Sequence, residues 1–244
     1  MKSAFTHHGD VRIHYLDSGG DDRGAPIVFV PGMTDVAEDY RAVLPSFGRR
    51  TAVVEVRGHG RSDAPARGYD LETLSGDVGA VIDTVSSGPV HLVTFSRGTA
   101  AAVWWALQHS DRVRSLAIGD YVPEEIVLGD AHVTGLLDGR WRGTPVRDRL
   151  DERAIRDTFR AAQARSFWEP LAQLDIPLLA VRSGTGRIVD DAAWARYRQV
   201  FPTAELVVFD DSPHDIFRPD RHRYPRLVAD HVERAGVTGY FGLR

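Results

Sequence analysis

Ser96 is the residue of this 244-residue chain whose setting most directly suggests chemistry. It lies in VTFSRGTA, after the apolar run HLVTF and before Arg97, Gly98 and the helix-forming stretch TAAAVWWALQ. Strand, sharp turn and helix in succession hold a serine hydroxyl at the edge of a sheet in a strained conformation, where it can attack a carbonyl carbon. The G-x-S-x-G spacing of such turns is met at Gly98, while Thr94 stands in place of the first glycine. Serine is also a favoured helix N-cap, so Ser96 by itself leaves both roles open. A nucleophilic serine needs a base, an acid that orients the base, and amides for the developing oxyanion.

In strand-turn-helix sites of this kind the base comes last in chain order, on a loop after the final core strand. AELVVFDDSPHDIFRP has an apolar run ending near Phe209 and then His214 in a short loop. Of the ten histidines, His214 has the context that fits. The tandem His7 and His8 lack the spacing of a metal site and are expected to face solvent. His59 is expected to be a packed structural histidine.

Two further stretches carry a resemblance. PGMTD follows the apolar run IVFV, and EVRGHGRSD at Glu55 to Asp63 is similar to a D-x-R-G-x-G-x-S loop with Glu55 in place of aspartate. With the serine turn and the histidine loop, these motifs in order resemble the α/β-hydrolases of the serine-nucleophile branch, from Phe5 to about Glu233. The resemblance implies that PGM replaces an H-G-x turn, and that the backbone amides of Met33 and Arg97 form the oxyanion hole. It excludes the aspartate nucleophile of haloalkane dehalogenases and epoxide hydrolases, because residue 96 is serine.

The acid departs from the usual pattern. Where most members carry G-x-x-D after the strand that follows the lid, this chain has SGTGRIVDD, with Gly186 or Arg187 where aspartate is expected. Asp190 and Asp191 come later and read as N-caps of AAWARYRQV. Some members instead place the acid after the strand before the lid, and SLAIGDYVP puts Asp120 there. Asp120 is therefore the favoured acid, with Asp190 and Asp191 as the alternatives.

Positioning these residues requires a sheet. Pro26 to Val30, Thr51 to Val56, Val90 to Phe95, Val113 to Ile118, Ile176 to Val181 and Glu205 to Phe209 are short, nearly continuous apolar runs, the pattern of strands buried on both faces. Helices are expected at Leu71 to Thr84, Thr99 to Gln108, Ala192 to Val200 and Tyr224 to Ala235. Ala4 to Thr6 and Val11 to Leu16 read as an antiparallel hairpin at the sheet edge. The fold expected is α/β, a mostly parallel doubly wound sheet with residues 1–121 and 176–244 as core. Residues 122–175, with helical pieces at Glu152 to Arg165 and around Trp168, are expected to form a small helical lid over the carboxyl ends of the strands. Tyr121, Trp141 and Trp168 are candidate substrate contacts. Phe159 and Phe167 also belong to this aromatic set, whose alternative role is lid core.

Composition narrows the partners. A net charge of −4 offers no basic field for nucleic acid or an anionic membrane, and no run has the length of a membrane span. The chain has no cysteine, which removes thiolate chemistry and cysteine-ligated zinc. The expectations are a cytoplasmic monomer or homodimer, a small-molecule substrate, and no cofactor or metal. The reaction expected is hydrolysis of an ester, lactone or thioester through an acyl-enzyme. C–C bond hydrolysis, a perhydrolase reaction on the same residues, and a non-hydrolytic cyclase or ligand receptor are the alternatives. Arg97, unusual beside a nucleophile, could bind a substrate carboxylate or pair with a nearby acid.

Overall fold

A computed structural model describes residues 1–20, 24–186 and 188–238. The antiparallel hairpin of β1 (Lys2–His8) and β2 (Val11–Asp17) opens the chain, followed by β3 (Ile27–Val30), β4 (Thr51–Glu55), β5 (Val90–Phe95) and β6 (Val113–Gly119). Two further strands, β7 (Leu178–Ser183) and β8 (Glu205–Phe209), complete an eight-stranded sheet of order β1-β2-β4-β3-β5-β6-β7-β8. All neighbours from β4 to β8 run parallel. The sheet is the doubly wound α/β architecture, and it brings the carboxyl ends of β3, β5, β6 and β7 side by side.

The helices are α1 (Leu71–Val85), α2 (Gly98–Gln108), α3 (Asp130–Asp138), α4 (Glu152–Ala161), α5 (Trp168–Ala172), α6 (Asp191–Val200) and α7 (Arg223–Thr238). Side chains alternate across the sheet as strand geometry demands. Val28, Val30, Val90 and Leu92 pack with α1, α2, α5 and α6 on one face. Ile27, Phe29, Val93 and Phe95 pack with Tyr40, Phe47, Phe217 and Tyr224 on the other. Both faces of the central strands are therefore closed to water, which is why those runs lack an apolar-polar alternation.

Residues 122–175 form a satellite with its own small core of Val133, Leu137, Val146, Leu150, Ile155 and Phe159. It contains two short antiparallel pairs outside the main sheet, Glu124–Glu125 with Arg165–Ser166 and Arg140–Trp141 with Thr144–Pro145. The helix expected to reach Arg165 stops at Ala161, because Arg165 is drawn into pairing with Glu125. The satellite is tied to the loop after β4: Gly60 N–H donates to the Arg149 carbonyl and Asp151 N–H to the Gly58 carbonyl. Gly60 is required there, since its φ is +50° and a Cβ would lie 2.3 Å from the Glu55 carboxylate. That carboxylate accepts from His14, Arg61 N–H and Ala37 N–H, so Glu55 knits the loop as a buried acceptor.

The tandem histidines divide. His7 is exposed. His8 corrects the expectation of a solvent-facing residue: its Nδ1 lies 2.8 Å from the buried Asp77 carboxylate, which also receives the Arg57 guanidinium. Among the described residues no helix is long and apolar enough to cross a membrane.

Candidate active site

Ser96 ends β5 with φ +52°, a left-handed conformation that non-glycine residues seldom adopt. Two bonds hold it there: Ser96 N–H donates to the Gly119 carbonyl at 2.8 Å and Thr99 N–H to the Ser96 carbonyl at 3.0 Å. The turn closes only because residue 98 is glycine, whose Cβ would sit 2.2 Å from the Pro31 carbonyl oxygen. Thr94, in place of the first glycine, is fully buried, with its hydroxyl 2.9 Å from Thr99 Oγ1 and donating to the Ala117 carbonyl. On the neighbouring strand β6, Gly119 is required for a separate reason: a Cβ there would meet the Thr94 backbone carbonyl at 2.9 Å and the Ile216 side chain at 2.8 Å. Ser96 does not cap α2; Arg97 occupies the N-cap and makes no side-chain cap bond.

The Ser96 hydroxyl reaches across the sheet end instead. Its Oγ lies 2.9 Å from His214 Nε2, and His214 Nδ1 lies 2.7 Å from Asp120 Oδ2. An ionised carboxylate only accepts, so Nδ1 carries the proton and Nε2 is left to accept from Ser96. The imidazole stacks on Phe95, ring centroids 5.1 Å apart, which fixes its plane. Asp120 is buried at the tip of β6 with φ +45°, and its N–H donates to the Val181 carbonyl on β7. Ser183, which sequence reasoning missed, completes its coordination: the Ser183 amide donates to Oδ1 and its hydroxyl to Oδ2, each at 2.8 Å. The signal available was a hydroxyl residue ending the strand beside the one that carries Asp120.

The alternatives for the acid lie elsewhere. Asp190 accepts from Ala193 N–H at 2.8 Å as the N-cap of α6, and Asp191 pairs with Arg182. Gly186 packs on the His214 backbone, and Arg187 lies outside the described residues.

Beside Ser96 stands the Pro31–Asp35 turn, closed by Gly32 N–H to Asp35 Oδ2 and Asp35 N–H to the Gly32 carbonyl. A Cβ on Gly32 would lie 3.1 Å from Ser96 Cβ, so Met33 is brought directly beside the serine. His59 Nε2 lies 3.0 Å from the Met33 carbonyl and its Nδ1 3.1 Å from the Arg57 carbonyl. Ser96, His214, Met33, Arg97, Tyr121 and Trp141 all line one cavity of about 510 Å³, mostly apolar. Trp168 does not. It is 1% exposed, donates to Glu124 and packs on Tyr197 and Phe201, so its reading as a substrate contact is corrected: α5 docks it into the core under α6. Phe167 is likewise core, whereas Phe159 reaches the cavity wall.

A buried charge cluster braces this site from the satellite. Trp141 Nε1–H donates to Asp35 Oδ1 at 2.6 Å. The neighbouring Arg142, itself at φ +48°, donates twice to Asp215, the residue after His214, and lies 3.6 Å from Asp35. One short strand pair thus holds both the Met33 turn and the histidine loop. Burial pushes the Asp35 carboxyl up to about 6, against the Arg142 charge and the Trp141 hydrogen bond, which pull it down. An unfolded aspartate titrates near ~3.9, so the folded chain binds the extra proton and stability falls as pH rises from about 4 through about 6. Asp35→Asn, which cannot ionise, is expected to lose less stability than the parent between pH 4 and pH 7, by on the order of 3 kcal/mol. Urea unfolding of both proteins at the two pH values measures this, and parallel pH dependence would contradict it.

A sequence model of the alpha/beta hydrolase fold matches residues 25–166, more than half of the chain. The chain belongs to the α/β-hydrolase family. It is 27% identical to the non-heme chloroperoxidase CPO-A1 of Kitasatospora aureofaciens over 86% of this chain and 91% of that protein. Identity to 2-(acetamidomethylene)succinate hydrolase of Mesorhizobium japonicum is also 27%, over 84% and 86%. The match to soluble epoxide hydrolase of Corynebacterium spans about half of each protein, 54% of this chain and 47% of the relative. The esterase RhEst1 from Rhodococcus shares the fold with a TM-score of 0.81, covering 97% of this α/β-hydrolase and all of that chain, at 20% identity. This chain is accordingly an enzyme of the α/β-hydrolase class.

Proposed function

We propose that this α/β-hydrolase is a serine hydrolase that cleaves an ester, lactone or thioester of a small organic substrate through an acyl-enzyme. The observation that carries the reading is the unbroken relay from Ser96 Oγ through His214 to Asp120, opening into an apolar cavity. Ser96 Oγ attacks the carbonyl carbon while His214 Nε2 takes its proton. The Met33 and Arg97 amides form the oxyanion hole, Asp120 holds the imidazole tautomer and stabilises the imidazolium, and residues 122–175 cover the cavity as a lid. His214 then protonates the leaving oxygen or sulfur, and returns as base to activate the water that releases the acid.

The relative named as a non-heme chloroperoxidase keeps a second acceptor in view, since an acyl-enzyme can pass its acyl group to peroxide. Hydrolysis of p-nitrophenyl esters in the absence of peroxide separates the two. The test of the mechanism is labelling: a fluorophosphonate is expected to add one phosphonyl group to Ser96, located by peptide mass spectrometry, and His214→Ala is expected to slow the labelling. A protein that stays unlabelled, or labels at the same rate in His214→Ala, is not this kind of hydrolase.

A further inference from the structure

The Arg97 side chain has no place in the reaction just described, yet it stands on the wall of the same cavity. Its Nη1 donates to the Ile126 carbonyl at 2.8 Å, and its guanidinium lies 4.2 Å from the centroid of the Phe159 ring. Tyr121 adjoins it as an electrostatic and hydrogen-bonding neighbour. Tyr121, Ile126 and Phe159 all line the cavity that holds Ser96 and His214, so the guanidinium is surrounded by residues of that cavity's wall.

Among the described residues Arg97 is in no ion pair. The nearest candidate, Glu125, contributes to its field, but that carboxylate is 3.4 Å from Arg165. Arg142 offers a contrast within the same molecule: it is answered by Asp35, Asp39 and Asp215. Removing an ion from water costs several kcal/mol unless another charge and hydrogen bonds compensate. An aromatic face, one carbonyl and the neutral Tyr121 hydroxyl compensate only in part. A guanidinium also has five donors in a planar fork, matched to the two oxygens of a carboxylate. No Arg97 nitrogen is among the side-chain atoms that are sealed from solvent without a hydrogen-bond partner, as Arg142 Nη1 is. Each is therefore either hydrogen-bonded or in contact with solvent-accessible space.

We propose that the Arg97 guanidinium is the recognition site for a carboxylate on the substrate, making the enzyme selective for small anionic acyl compounds such as half-esters of short dicarboxylic acids. The inference rests on the serine-hydrolase reading for its chemistry and on the cavity geometry for its specificity. Ser96 and Arg97 are consecutive, their Cα atoms ~3.8 Å apart. A carboxylate held by Arg97 and a scissile carbonyl at Ser96 would share one cavity of about 510 Å³, which suits a compact molecule. Tyr121 lies against the same guanidinium and would hold it in the plane that the carboxylate needs.

Two measurements test this. The first compares p-nitrophenyl hemiglutarate with p-nitrophenyl valerate, similar in size and differing in charge. The parent enzyme is expected to favour the anionic ester in kcat/KM, and Arg97→Met is expected to reduce that preference about 30-fold or more, mainly through KM, with Arg97→Lys in between. A parent with no preference, or an Arg97→Met variant that keeps the parent's ratio, overturns the proposal. The second needs no turnover: glutarate is expected to raise the Tm of Ser96→Ala, and not that of Ser96→Ala/Arg97→Met. Glutarate stabilising both equally, or neither, also overturns it. An enzyme that binds glutarate through Arg97 but hydrolyses neither ester would instead refute the hydrolase reading and leave the anion site standing.

Discussion

Ser96→Ala is expected to lower kcat on any ester this protein turns over by about 10⁶-fold, the scale seen when the nucleophile of such a relay is removed. At room temperature that is ~8 kcal/mol of lost transition-state stabilisation. The reason is structural: Ser96 Oγ is the hydroxyl bonded to His214 Nε2, and the +52° φ of Ser96 presents it to the cavity. Alanine keeps the turn, because the bonds of Ser96 N–H to Gly119 and of Thr99 N–H to the residue 96 carbonyl are backbone bonds. The variant should therefore fold, and residual rate over water would come from the Met33 and Arg97 amides and from binding. His214→Ala should cost about as much, and the double variant little more, since the two act as a unit. Single-turnover and steady-state kinetics on a p-nitrophenyl ester measure all three. A loss below about 100-fold in Ser96→Ala would remove it as nucleophile.

Asp120→Asn should lower kcat by about 10⁴-fold with little change in KM. Asp120 accepts three hydrogen bonds, from His214 Nδ1–H, the Ser183 amide and the Ser183 hydroxyl. Asparagine has one acceptor oxygen and an NH₂ that must point at one of these donors. If it faces His214, the imidazole flips its proton to Nε2, where it can no longer accept from Ser96. If it faces Ser183, the buried amide of β7 is left unsatisfied. Asp190→Asn is the control, and should cost at most a few tenths of a kcal/mol in stability, because asparagine also caps helices well. A large activity loss in Asp190→Asn with a small one in Asp120→Asn would transfer the acid role downstream.

The two anomalies in the sequence have different physical answers. Thr94 in the serine turn is accommodated by partners for its hydroxyl, the Thr99 hydroxyl on α2 and the Ala117 carbonyl on β6. The empty G-x-x-D position is not repaired locally at all. Asp120 approaches His214 from the adjacent strand tip, and Ser183, on the strand where an aspartate would usually follow, supports Asp120 instead. Such an exchange between neighbouring strands has no local signature, because Asp120 and Ser183 are 63 positions apart.

The braces of the site were the least legible. Nothing in the spacing of Asp35, Arg142 and Asp215 marks them as neighbours, since a charged residue in a loop reads as solvated until its partners are placed. Trp168 was misread for a similar reason. An aromatic in an inserted segment can turn toward a ligand or toward the core, and only the docking of α5 against α2 and α6 decided for the core.

By itself the sequence determined the parallel sheet, the strand-turn-helix setting of Ser96, the order of the PGM turn, the serine turn and the histidine loop, and membership of a fold whose members share them. These are local properties, set by apolar runs, by glycines where backbones nearly touch, and by turn residues at strand ends. Only the tertiary structure decided which carboxylate meets His214, which aromatics face the cavity, and that Arg97 has no ion-pair partner there among the described residues. Those outcomes depend on which strand tips become neighbours, and distances of a few ångströms between residues far apart in the chain exist only after the sheet has assembled.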